Sequence, residues 1–213
     1  MFIGHYALAL AARKVDQRPS LAIMFFAVQL LDHAWPLFVL AGVESFAIDP
    51  GNTKLTPLDF SFYPYSHSLL MALVWAALLA VIYTFISKNK QTALLLAVLV
   101  FSHWVLDFLT HRPDLPLSPF SSQRVGLGLW NMPALEVILE VALFSLGVYW
   151  YVLTEKPKRR LAFWSMITFL VLIYFANIFG PPPPSISAVA WSANALWLVV
   201  LWAWWIERPA ASR

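Results

Sequence analysis

The chain has 213 residues, of which 61% are hydrophobic and 12% charged, with a net charge of +3. A soluble domain carries about 25% charged residues, so this composition excludes an ordinary water-soluble fold and points to an integral membrane protein. There is no cysteine, which excludes disulfides, thiolate metal sites and cysteine nucleophiles.

Residues 2–14, FIGHYALALAARK, open the chain as a predicted helix. At ~1.5 Å per residue such a helix reaches about 20 Å, enough to dip into a bilayer but not to cross it. Its basic pair, Arg13 and Lys14, follows the apolar stretch. A cleaved leader has the reverse order, so a retained segment is expected. Six longer apolar segments follow, at 20–43, 66–87, 91–110, 133–154, 161–179 and 187–206. Each is near the roughly 20 residues that a span requires. The fold expected is all-α: one multi-pass transmembrane helical bundle, 1–213, with about six spanning helices and a short membrane-dipping helix at the N-terminus.

Charge assigns the two faces. Arg13, Lys14 and Arg18 precede the first span, and Lys88 and Lys90 separate the second and third. Lys156, Lys158, Arg159 and Arg160 separate the fourth and fifth, and Arg208 and Arg213 follow the sixth. These regions alternate so as to share one face, which positive-inside topology makes cytoplasmic in a cell (inner) membrane. The same clustering between apolar runs is topogenic, so no nucleic-acid partner is expected. The remaining loops, 44–65, 111–132 and 180–186, face outward. Asp49-Pro50-Gly51-Asn52 signals a turn. Residues 112–130 hold too many prolines and glycines for a helix, and 181–184 read as a stiff polyproline connector.

All five histidines lie in or beside apolar segments, where polar side chains are costly and usually functional. His103, Asp107 and His111 recur at i, i+4, i+8 and so share one helix face. Asp32 and His33 sit at a comparable depth in the first span. Being adjacent, they point ~100° apart and cannot both face one site squarely. His67 starts the second span after Ser66, read as its N-cap. His5 on the short helix reaches the middle of the bilayer if that helix rises from the cytoplasmic side. Glu136 and Glu140 enter the fourth span from outside. One His–Asp pair alone is as well explained by a structural hydrogen bond. Convergence of several segments on one outer stratum is what favours a non-thiolate site for a divalent metal ion, zinc first, manganese or iron as alternatives. Arg112 and Arg124 overhang that stratum, as a phosphate clamp or as ordinary interfacial arginines. Gln29 is a candidate outer-shell donor, and Tyr63 and Tyr65 belong to a pocket or to the aromatic belt.

The ordered set FIGHYALALAARK, LLDHAWP, SHSLL, SHWVLDFLTHRPD and GLGLWN with a following Glu resembles the bacterial and archaeal membrane-bound metal-dependent hydrolase family. That family is related to the LexA-binding, inner-membrane-associated hydrolases. The resemblance covers about residues 2–150. It implies a membrane-embedded helical fold with His5, Asp32, His67, His103 and Asp107 at its metal-binding elements. The chain departs from the family's D-x-D-H form in having Asp32 and His33 side by side.

The function expected is metal-assisted hydrolysis of an amphiphilic substrate, a phospholipid or lipid phosphate, at the outer leaflet. The ion would activate a water. Glu140 or His111 would serve as general base, and Arg112 and Arg124 would hold the substrate among membrane lipids. Two rivals remain: a metal-ion or proton carrier or channel without catalysis, and a haem protein with two axial histidines.

Overall fold

The computed structural model describes residues 1–155, 157 and 159–208. Lys156, Lys158 and Arg213, counted above among the basic residues, lie outside the described residues. Helix α1 (Ile3–Ala12) is buried along its whole length except for partial exposure at Leu8 and Ala11. Its small residues Gly4, Ala7, Ala9, Ala11 and Ala12 let neighbouring backbones approach closely, which is how apolar helices pack where lipid supplies no hydrophobic drive. It packs most extensively on α7 (Pro133–Glu155) and also on α2 (Leu21–Val28) and α6 (Lys90–Thr110). The contact with α7 leaves no space: a Cβ at Gly147 would stand 2.5 Å from the Ala7 carbonyl oxygen.

Five helices among the described residues are long and apolar enough to cross a membrane. They are α5 (Leu69–Ser87), α6, α7, α8 (Arg160–Phe179) and the run Ile186–Glu207, which divides into α9 (Ile186–Asn194) and α10 (Leu196–Glu207). A sixth is completed only by a bent pair, α2 with α3 (Leu30–Leu40). The first span expected at 20–43 is therefore present as this bent pair. It bends by 56° at Gln29, whose φ of −105° and ψ of 10° leave the helical region. The break interrupts the hydrogen-bond ladder at the end of α2, where the last carbonyls have no helical partner. α5 shows the lipid-facing pattern most clearly: Leu73, Val74, Leu78, Val81, Ile82, Phe85 and Ile86 are all exposed.

The loops at 44–65 and 111–132 carry the only strands among the described residues. Strands β1 (Ser45–Ile48) and β2 (Leu58–Phe62) form an antiparallel hairpin closed around the turn at Asp49, where the Asn52 amide donates to the Asp49 carbonyl at 3.0 Å. A short helix, α4 (Pro64–His67), leads into α5. The N-cap of α5 is Ser68, which accepts from the Met71 amide, and not Ser66 as expected. A second pair, β3 (Leu115–Pro116) with β4 (Arg124–Val125), and a 3-10 turn at Leu129–Asn131 fold the segment between α6 and α7. Gly126 (φ +154°) has no room for a side chain: a Cβ there would stand 2.2 Å from the Arg112 carbonyl. That close approach pins the stretch holding His111 and Arg112.

Candidate metal centre

Three elements bring imidazoles together with one carboxylate. From α1, His5 Nε2 lies 3.2 Å from Asp107 Oδ1. From α6, His103 Nε2 lies 3.2 Å from Asp107 Oδ2, one turn along the same helix. From the end of α4, His67 Nε2 lies 3.8 Å from Asp107 Oδ2 and 3.3 Å from Asp32 Oδ1. Asp32, in the first turn of α3 beyond the break, also stands 3.7 Å from His103 Nε2. The His5 and His103 rings stack face to face, 3.7 Å between centroids. Two overlapping triads have metal-ligand spacing, His5–His103–Asp107 and Asp32–His67–His103. The α-amino group of Met1 adds an ion pair to Asp107 Oδ1 at 2.8 Å.

The hydrogen bonds on the far side of these rings decide what the near side presents. His103 Nδ1 lies 2.7 Å from the Val28 carbonyl oxygen. A carbonyl only accepts, so Nδ1 carries the hydrogen. In the neutral ring Nε2 then bears a lone pair, and this atom has no hydrogen-bond partner among the described residues. The Val28 carbonyl is available because the α2–α3 break leaves it outside a helix ladder. His67 is held in the same way. Its Nδ1 is 2.7 Å from Ser66 Oγ, whose hydroxyl donates to Glu44 Oε2 at 2.7 Å. Burial pushes the Glu44 carboxyl above its ordinary value, while donors from Ser66 and the Tyr65 amide oppose that rise. With Glu44 as carboxylate, the one Ser66 proton is committed to it, and Nε2 of His67 again faces the cluster as a lone pair. Both ring nitrogens of His5 also lack a hydrogen-bond partner among the described residues, Nε2 being near Asp107 but out of alignment.

Lone pairs on nitrogen facing carboxylate oxygens at 3.2–3.8 Å repel unless a proton or cation lies between them. A tetrahedral ion with bonds of about 2.0–2.1 Å sets its ligands roughly 3.3–3.4 Å apart. The donor set, imidazole and carboxylate without thiolate, suits zinc, manganese or iron.

Next to the cluster is a cavity of about 140 Å³ whose lining joins Asp32, His67 and Asp107 to Met1, Trp35, Phe60, Tyr63, His111 and Trp130. His111 caps α6 and faces this cavity without joining either triad. Its Nδ1 is 3.0 Å from Asp114 Oδ1, which also accepts from Tyr63 Oη at 3.0 Å, and its ring packs on Trp130 at 4.0 Å.

The other residues singled out in the sequence sort differently. Glu140 Oε1 accepts from the amides of Phe2 at 2.5 Å and Gly4 at 2.9 Å, so it anchors the start of α1 and does not line the cavity. Glu136 accepts from Tyr174 Oη. Arg112 pairs with Asp59 and Asp114, whereas Arg124 donates to the carbonyls of Asp114 and Ser61. His33 turns away from the cluster and stacks on Trp197 at 4.2 Å. Tyr63 lines the cavity while Tyr65 is exposed. Glu44 and the Val28 carbonyl were not legible in the sequence. Nor was the pairing of His111 with Asp114, three residues further on.

A family model described as YdjM inner membrane protein matches residues 64–182. The matched segment holds His67, His103, Asp107, His111 and Asp114, while His5 and Asp32 precede it. Among curated proteins and among solved structures, none matches the chain. With the match running over more than half of a chain whose helices are built to span a bilayer, the conclusion is direct: this chain belongs to the YdjM inner membrane protein family.

Proposed function

We propose that this inner membrane protein is a metal-dependent hydrolase acting on an amphiphilic phosphoester, in line with the resemblance carried by its histidine motifs. One observation carries the reading. His103 commits its Nδ1 hydrogen to the Val28 carbonyl and turns an unpartnered, buried Nε2 toward Asp107 and Asp32. Relieving that repulsion by protonating several imidazoles would bury several charges, while one divalent ion shared by His5, His67, His103, Asp32 and Asp107 relieves it at once.

The ion's contribution, when bound, is to lower the pKa of a water and polarise a phosphoryl oxygen. The side chains supply the rest. Asp114 holds His111 with Nδ1–H toward the carboxylate, leaving Nε2 as the proton acceptor on the cavity side, with Trp130 fixing the ring plane. Trp35, Phe60 and Trp130 limit the water that reaches the cavity. Glu140 positions α1, and therefore His5, through two amides; proton transfer falls to His111. Arg112 is neutralised by Asp59 and Asp114, so Arg124 is the cation left to meet a phosphate at the rim.

The rival readings draw less support. Between His5 and Arg13, α1 carries only Tyr6 and apolar residues, all largely buried, which is a poor path for an ion. Rings stacked at 3.7 Å, with His103 Nε2 directed at a carboxylate, leave no space for a haem between His5 and His103.

The test uses purified protein supplied with zinc in mixed micelles containing a lipid phosphomonoester or phosphodiester. Wild-type protein releases product. His111→Gln lowers the rate by about 10²–10⁴-fold, the usual worth of a general base, and Asp107→Ala abolishes it. Equal rates in wild type and both variants would overturn the proposal.

A further inference from the structure

At the end of the molecule away from the histidines, a cleft of about 490 Å³ opens between α8 and α10. It is lined by Arg159, Arg160, Leu161, Ala162, Ser165, Trp202 and Trp205. None of these residues belongs to the histidine cluster. Each has one of two chemical characters, and the two are arranged from charged to apolar.

The charged end is built around the start of α8. The Arg159 guanidinium lies 5.0 Å over the Trp205 ring, and its Nε donates to the Arg208 carbonyl at 3.2 Å, so it is held in place. Arg160 is exposed and makes no ion pair among the described residues. The first helical hydrogen bond of α8 runs from the Phe163 amide to the Arg159 carbonyl, so the amides of Arg160, Leu161 and Ala162 precede the ladder, and no side chain among the described residues caps them. Ser165 spends its hydroxyl hydrogen on the Leu161 carbonyl at 2.8 Å and keeps its oxygen as an acceptor. Orphan amides, the positive end of a 20-residue helix and two guanidinium groups together favour an anion.

The opposite end is apolar and continues along the span. Trp202 packs on Phe169 of α8 at 5.7 Å, and the same two helices expose Leu161, Phe169, Leu172, Leu198 and Leu201. An inorganic anion would use only the charged end. A molecule with a phosphate head and acyl chains uses both, and basic clefts between helices at the basic face of a membrane protein are suited to acidic lipids.

We propose that this cleft is a binding site for the phosphate headgroup of an acidic phospholipid, which ties α8 to α10 through Arg159, Arg160 and the first turn of α8. Its chains lie along the Phe169–Trp202 face. The lipid is a resident ligand here, separate from any substrate at the histidine cluster.

The probe is phosphatidylglycerol, titrated into delipidated protein in detergent and read by native mass spectrometry, with phosphatidylethanolamine and inorganic phosphate as the comparison arms. Wild-type protein retains phosphatidylglycerol at least about tenfold more tightly than phosphatidylethanolamine. Arg160→Gln, at an exposed position that leaves the fold intact, weakens phosphatidylglycerol about fivefold, the usual worth of one basic residue at an acidic membrane surface. Lys54→Gln, exposed in the loop between β1 and β2, changes nothing. Equal retention of the two lipids, or an unaltered preference in Arg160→Gln, overturns the proposal. Inorganic phosphate competing as well as the lipid overturns it in favour of a free-anion site.

Discussion

The two ends of α1 are both buried and both polar, yet they are built on opposite rules. At the Arg13 end every strong donor and acceptor is matched. Arg13 meets Glu155 at 2.8 Å and Glu207 at 3.4 Å and donates to the Pro19 carbonyl, while Glu207 Oε2 accepts from the Leu21 amide at 2.7 Å. Beside it, Arg18 holds the Asp16 carboxyl down to about 2, helped by Thr92. At the His5 end, nitrogen atoms of His5 and His103 are buried without a hydrogen-bond partner among the described residues. The first arrangement closes the bundle by tying α1, α2, α7 and α10 together. The second leaves valence unused where leaving it unused is expensive. A buried polar group that is satisfied explains stability; one that is unsatisfied in a fixed orientation calls for a ligand.

Substitutions at the two ends should therefore separate. The largest effect on folding is expected from Arg13→Ala, which takes a buried ion-pair partner from Glu155 and from Glu207 at about 3–5 kcal/mol; the variant should melt well below wild type while its folded fraction binds added zinc as wild type does. A smaller loss, about 1–3 kcal/mol, is expected from Gly147→Ala, because the new methyl group meets the Ala7 carbonyl and pushes α1 away from α7. Because α1 carries His5, this variant should also bind its ion more weakly, which detergent-phase titration measures. The smallest effect on folding should come from Ser66→Ala. It cuts the Glu44–Ser66–His67 relay and should weaken ion affinity by about 10–100-fold with a melting temperature close to wild type. A stability loss in Ser66→Ala as large as that in Arg13→Ala would erase the distinction between the two ends.

Much of this contrast can be read along the chain, and some of it cannot. The i, i+4 spacing of His103 and Asp107 fixes a shared helix face whatever the tertiary fold, and the same period places His111 near them. The depths of His5, Asp32 and His67 can be counted from the basic clusters. The bend at Gln29 cannot: in LAIMFFAVQLLDHAWP the residues on both sides of Gln29 are apolar, and no proline or glycine stands at the break eight residues after Leu21. Yet that bend sets the first turn of α3 at Asp32 and frees the carbonyl that orients His103. The supports of the site are invisible for a related reason. Glu44 reaches Ser66 across a hairpin, and Glu140 reaches the amides of Phe2 and Gly4 across the bundle, contacts that no periodicity encodes. The short strands at 45–48 and 58–62 lie in a loop whose composition announces a turn but not its pairing.

The central claim is that the orphaned imidazoles face a place for an ion, and elemental analysis tests it most directly. Protein purified in detergent and exposed to equimolar zinc, then desalted, should hold about one ion per chain at a closed histidine–carboxylate site, with His103→Ala and Asp107→Ala each holding about a tenth of that or less. Wild-type protein that emerges without zinc, manganese or iron, or variants that keep the wild-type stoichiometry, would contradict it.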